Sequence, residues 1–220
     1  MQLALYLALQ GKKVGLLDVD LHGPSVPKML NLENASPELS EEGKMLPVKV
    51  GELKVLSIGF FLESTDSAVV WRGPIIAGCV KQFWTDVVWG DVDVMFVDMP
   101  PGTGDVPLTV FQSLPVDGVV IVASPQELVG MIVEKAANMA AMMKIPVIGL
   151  VENMSYFVCP KCGERHAIFG ESRIDEIAAR HAIPVVCKLP IDPDFARATD
   201  EGKVEELACP ALDALGTLVG

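Results

Sequence analysis

Five short runs of aliphatic and β-branched residues, each followed by a stretch with helical spacing, constrain most strongly what this chain can fold into. They are Lys13 to Asp18, Val92 to Asp98, Gly118 to Ala123, Pro146 to Val151 and Pro184 to Leu189. Strand and helix alternating in this way build βαβ units and a mainly parallel sheet. The runs are almost uninterrupted in apolar character, as strands buried on both faces require. Hydrophobic residues make up 50% of the chain and charged residues 21%, so most elements should be covered. The expected fold class is α/β, a mainly parallel sheet covered by helices on both faces. At 220 residues, against about 150 per domain, one domain spanning 1–220 is expected.

Between the first two runs, Val48 to Val50 and Leu53 to Leu56 flank Gly51-Glu52. Two runs around a two-residue turn containing glycine predict a hairpin at a sheet edge. Helical spacing predicts helices over Gly73 to Val88, Val106 to Ser113, Gln126 to Met143 and Ser172 to Ala182. The opening Met1 to Leu9 has no basic residue before it and no small-residue cleavage site after it, so it reads as a helix rather than a secretory leader. The methionines from Met139 to Met143 read as core filling. The acidic, apolar tail from Val204 reads as a packing helix.

Several function classes are disfavoured. A net charge of -12 repels a phosphate backbone, so nucleic acid is not an expected partner. No apolar run reaches the roughly 18 residues of a spanning helix, so no membrane partner is expected. Five cysteines with one close pair do not make a disulfide framework, and a reducing, cytoplasmic setting is expected.

The chemistry-bearing motifs begin with Val94 to Asp105. Four apolar residues ending in Asp98, then Met99-Pro100-Pro101-Gly102-Thr103-Gly104-Asp105, place a carboxylate at the carboxyl end of a buried strand, where open α/β sheets bind ligands. This is a Walker-B arrangement: Asp98 can hold Mg²⁺, and Gly102 lets backbone approach a phosphate. A second strand ends in Asp18-Val19-Asp20, before Gly23-Pro24-Ser25. Carboxylates one residue apart at a strand end can bind a metal's water shell and orient an attacking water.

The third motif is Cys159-Pro160-Lys161-Cys162-Gly163, expected in a metal loop spanning about 153–170. A redox pair would set its first cysteine at a helix start, whereas Pro160 and Gly163 suggest a knuckle aiming two thiolates at one metal. Two thiolates are half of a four-cysteine shell, and a two-fold dimer supplies the other half. Spacing alone leaves zinc and an iron-sulfur cluster equally open. His166 lies near enough to be a ligand but reads as a surface histidine. Cys79, Cys187 and Cys209 read as core residues.

Taken in order, Asp18 to Ser25, Trp71-Arg72-Gly73-Pro74, Asp98 to Asp105, Ser124-Pro125-Gln126-Glu127, and Glu152 to Ser155 with the cysteine pair resemble the Mrp/ApbC branch of the MinD/ParA ATPases. The resemblance covers essentially the whole chain. It implies a SIMIBI-type P-loop fold, a homodimer around two ATP molecules with Mg²⁺, and an iron-sulfur cluster, of the 4Fe-4S type, handed to apo iron-sulfur proteins. By the same resemblance Asp20 positions the attacking water, Asp18 is its neighbour near the metal, and Asp98 is linked to Mg²⁺. Gly102 lies near the γ-phosphate, Asn153 reads adenine, and Pro190-Ile191-Asp192 lines the base. It moves the cysteine pair toward iron-sulfur rather than zinc. Trp71-Arg72 has no chemistry derivable from its residues.

The sequence departs from that family at one place. Relatives carry Lys-Gly-Gly-Val-Gly-Lys-Ser/Thr after a first strand, and Met1 reads as already past it. Truncation is the expectation, because the other nucleotide-site residues are all kept. The first strand and the phosphate loop are then missing, and with them ATP turnover. Two rival readings are a positioning ATPase of the MinD/ParA kind, which gives the cysteine pair no job, and a zinc-stabilised scaffold without catalysis.

Overall fold

A computed structural model of the chain describes residues 1–20, 23–62, 73–204, 207 and 209–219, the side chains of 73–76 and 127–129 excepted. The described residues form two compact units. The first comprises Met1–Leu114, Phe195–Cys209 and Val219–Gly220, and the second Pro115–Asp194 and Pro210–Leu218.

In the first unit, helix α1 (Gln2–Leu9) leads into strand β1 (Val14–Asp18), every residue of which is buried. After the short helix α2 (Val26–Met29) come the two-residue strands β2 (Glu38–Leu39) and β3 (Met45–Leu46), which pair with each other. The expected hairpin follows as β4 (Val48–Val50) and β5 (Leu53–Ser57), antiparallel at the sheet edge, with Gly51 at φ +56° in its turn. Helix α3 (Gly73–Thr85), strand β6 (Val94–Asp98) and helix α4 (Asp105–Ser113) complete the unit's main elements. The sheet order is β4-β5-β1-β6, with β1 parallel to both β5 and β6. Leu5 and Leu7 of α1 pack with Val14 and Leu16 of β1 and Leu53 and Val55 of β5 into one core, so Met1 to Leu9 is a core helix, as expected.

The second unit contains strand β7 (Val119–Ala123), helix α5 (Glu127–Met142) and strand β8 (Val147–Val158). Strand β9 (Arg165–His166), helix α6 (Ile174–Arg180) and strand β10 (Val186–Pro190) follow. Its sheet order is β10-β8-β7, all parallel, and β9 turns back antiparallel on β8. Ile121, Val133, Leu150 and Ile177 anchor its core. Helix α7 (Pro193–Asp200) carries the chain from the second unit to the first, and of the tail expected to be helical from Val204 only Asp213–Val219 forms an α-helix, α8.

The α/β class and the mainly parallel pairing are therefore as expected, but the described strands make two mainly parallel sheets and the small antiparallel β2–β3 pair where one sheet was anticipated. Strand β6 ends the first sheet and β7 the second, each hydrogen-bonded on one side among the described residues. No described helix is long and apolar enough to cross a membrane.

Candidate functional site

The register of the first sheet ends three strands together and lines up three polar residues. Asp18 closes β1 with Ser57 of β5 on one side and Asp98 of β6 on the other. Asp18 is 1% exposed and Ser57 fully buried. The Ser57 hydroxyl donates to Asp18 Oδ2 at 2.7 Å, and the Asp20 N–H donates to Asp18 Oδ1 at 3.1 Å. Burial raises the Asp18 carboxyl from its ordinary 3.8 to about 6; the hydrogen bonds from Ser57 and Asp20 pull it down, and the nearby carboxylates of Asp98 and Asp20 push it up.

Asp20 in turn accepts the Gly23 N–H on Oδ1 at 3.3 Å, which shapes the loop leaving β1. The Val19 N–H donates to the Asp98 carbonyl at 2.9 Å, extending the pairing one residue past the strand. The Met1 nitrogen lies 3.7 Å from Asp98 Oδ2, so α1 starts beside that carboxylate. Two carboxylates abreast at strand ends, one already resisting ionisation, form a hard oxygen donor set that suits Mg²⁺. Gly102 stands in the exposed loop after β6 at φ +93° with open space where a side chain would be. That conformation is natural only to glycine.

Sequence reasoning missed Ser57. Its signal was visible, a hydroxyl ending a run of Leu, Lys, Val and Leu, but only the parallel pairing of β5 with β1 reveals what it holds.

A second group of the expected residues lies in the second unit. Lys188 pairs with Glu152 and Pro190 with Tyr156, so Asn153, Met154 and Ser155 bulge from β8 opposite the single residue Leu189. Bulges re-aim side chains, and here Met154 takes φ +56° while its N–H donates to Asn153 Oδ1 at 3.0 Å. A left-handed conformation costs a residue with a side chain roughly 1–2 kcal/mol, so the rest of β8 holds this kink in place. The Ile191 N–H donates to the Tyr156 carbonyl at 2.7 Å, and Asp192 Oδ1 accepts the Asp194 N–H at 2.9 Å at the start of α7. Asn153 and Pro190 to Asp192 thus stand on adjoining segments.

The cysteine pair occupies the turn between β8 and β9. The Cys159 N–H donates to the Glu164 carbonyl at 2.9 Å, and the Gly163 N–H donates to the Cys159 carbonyl at 2.8 Å with Gly163 at φ +75°. The backbone N–H groups of Lys161 and Cys162, and then the Cys162 thiol, hold the Cys159 thiol below its ordinary range. Amide donors converging on a sulfur are what a thiolate ligand needs. The Arg165 guanidinium lies 4.5 Å from the centre of the Tyr156 ring and braces the hairpin.

His166 faces Glu164 Oε2 at 3.9 Å on an exposed surface, and among the described residues no group of three or more His, Cys, Asp or Glu could hold a metal ion. Cys187 is 3% exposed with its thiol raised by burial, as a core residue should be. Cys79, on α3, and Cys209, in the segment before Pro210, are only half-buried, short of the core positions expected. Trp71, Arg72 and His22 lie outside the described residues.

A family model described as NUBPL iron-transfer P-loop NTPase matches residues 1–216. The chain is 44% identical over 201 residues to an iron-sulfur cluster carrier protein of Methanocaldococcus jannaschii, covering 91% of this chain and 69% of that one. Against the iron-sulfur cluster carrier protein of Aquifex aeolicus, identity is 39% over 201 residues, covering 91% and 55% of the two chains. The chain therefore spans only part of the length of both relatives. Among solved structures, a nucleotide-binding protein from Archaeoglobus fulgidus in complex with ADP superposes with a TM-score of 0.85 at 43% identity, covering 96% of this chain and 83% of the other.

Proposed function

This chain belongs to the NUBPL iron-transfer P-loop NTPase family, and from that premise we propose that it carries an iron-sulfur cluster between two copies of itself and passes it to apo-proteins. The observation that carries the proposal is the cysteine knuckle: two thiols, exposed or nearly so, with amide donors converging on Cys159 and no third ligand near them among the described residues. Two thiolates fill half of a four-thiolate shell. A two-fold related copy contributes the remaining pair, Cys159 and Cys162 again, so the cargo bridges a homodimer. We assign the cluster to the 4Fe-4S type and the protein to the cytosol, where thiols stay reduced.

The nucleotide reading follows the same residues. We propose that Asn153 and the Pro190 to Asp192 segment hold the base of ATP, while Asp98 and Asp18 hold Mg²⁺. When bound, that ion neutralises charge on the transferred phosphate. Asp20, tethered to Asp18 through its own N–H, orients the attacking water and accepts its proton through a carboxylate oxygen. Gly102 gives the loop after β6 the freedom to bring a backbone N–H against the terminal phosphate.

Anaerobic reconstitution tests the cargo reading. The protein should take up iron and acid-labile sulfide together, absorb broadly in the visible, and elute as a dimer. A Cys159→Ser/Cys162→Ser double variant should take up neither. Metal without sulfide identifies a zinc-type knuckle instead, and full cluster retention by the double variant overturns the site.

A further inference from the structure

Glu152 is 2% exposed, and nothing above gives it a task. It precedes Asn153 on β8, and its two oxygens are each claimed by a hydroxyl. Ser155 donates to Oε2 at 2.5 Å and Ser172 to Oε1 at 2.7 Å. A buried carboxylate tolerates burial only with such donors, so the pairing is a strong restraint on both serines. Ser155 lies just before Tyr156, the last residue of β8 that pairs with β10, and Ser172 lies just before α6. Ser155 opens the stretch that becomes the β8–β9 hairpin. Ser172 closes it, and its oxygen also accepts the Ile174 N–H at 3.3 Å at the first turn of α6.

Everything between the two serines is the excursion that presents Cys159 and Cys162. It has little else to hold it: residues 161–171 are exposed throughout, and β9 pairs with β8 at only Phe157–His166 and Val158–Arg165. Its return arm, Phe169 to Glu171, lines a cavity of about 680 Å³ whose other walls include α5, α6 and the segment Ala123 to Gln126, so packed side chains do not fix it from behind. Glu152 lines the same cavity.

We propose that Glu152 is a positioning residue for the cluster-holding cysteines. One carboxylate clips the outgoing and returning arms of the excursion together, fixing where the knuckle is presented and keeping its thiolates in place while cargo is bound. The inference rests on the cargo reading above, and its test separates the two.

Ser155→Ala and Ser172→Ala each release one arm from opposite ends while leaving both cysteines intact. After anaerobic reconstitution each variant should bind iron and sulfide at the wild-type ratio but lose the cluster to an excess of chelator about tenfold faster, the size of effect that outer-shell partners have on metal sites. Trypsin should cut faster after Lys161 and Arg165, while the melting transition stays cooperative. Ser172→Thr, which keeps the hydroxyl, should restore wild-type retention. Folded serine variants that hold cluster as long as wild type overturn the clip. If instead the Cys159→Ser/Cys162→Ser control keeps its cluster, it is the cargo reading that fails. A measurement on the unmutated protein needs no variant to fold: in hydrogen exchange, 155–158 and 164–172 should open as one cooperative unit, and independent opening of the two arms overturns the proposal.

Discussion

Asp18 carries the clearest consequence for pH. Its carboxyl, raised to about 6 by burial, holds a proton in the folded chain at values where the unfolded chain, near 3.9, has released it. Between about pH 4 and 6 the folded state therefore binds more protons, and stability falls as pH rises through that window. The full effect of a shift this size is on the order of 2–3 kcal/mol. Urea melts in metal-free buffer at pH 4.5, 5.5 and 7 should show that decline, and Asp18→Asn should remove most of it; a variant with the wild-type slope would place its source elsewhere. Asp18 and Asp98 were legible in the sequence because an apolar run ending in Asp is a local signal. Ser57 was not, because its partner is 39 residues away and only the parallel register brings them together.

The β8–β9 hairpin carries the proposed cargo site. Gly163 stands at φ +75° with nothing within 4 Å of where a Cβ would be. A Gly163→Ala change therefore costs about 1 kcal/mol of backbone strain and creates no clash. We expect the melting temperature to move by a few degrees at most, while iron bound per chain after reconstitution drops severalfold because the turn that aims both thiols is opened. Gly149→Ala is the contrast: its Cβ falls 2.6 Å from Leu215 Cδ1 and 3.5 Å from the Val185 carbonyl, so its cost lies in packing. Most strands and long helices were readable to within two residues of their ends, although α3, expected to reach Val88, ends at Thr85. Strand β8 was not, since its apolar run stops at Val151 while the strand continues to Val158. Glu152 reads locally as a strand end, and the pairing of Tyr156 with β10 and of Phe157 and Val158 with β9 carries β8 past it. Helix α7 was also missed, although Asp192 before Pro193 is a recognisable helix start.

Considered together, the two sheets explain what these 220 residues do by themselves. They contain no Gly-x-x-x-x-Gly-Lys-Ser/Thr run, so the amides and lysine that cradle a triphosphate are not among them. We expect negligible steady-state ATP hydrolysis; turnover abolished by Asp20→Ala would show that another segment holds the phosphates. Among the described residues, strands β6 and β7 are each hydrogen-bonded on one side, and a buried polar group left unpaired costs about 1–3 kcal/mol. A chain extended upstream by a strand and a Gly-rich loop should melt higher and gain further on adding Mg-ATP, in a direct comparison of the two forms. The carboxylates and the residues proposed to hold the base stood out as motifs, yet they fall in separate units, a division that no local pattern encodes. The knuckle's position at the tip of a hairpin, with Cys162 exposed, has a last consequence for delivery. With the cluster held as proposed, an incoming acceptor thiolate could attack an iron before any donor thiolate has left, and handover would then proceed by associative ligand exchange, one sulfur in and one out. No free iron or sulfide need enter solution, and the rate should rise with acceptor concentration rather than level off at the donor's own rate of release.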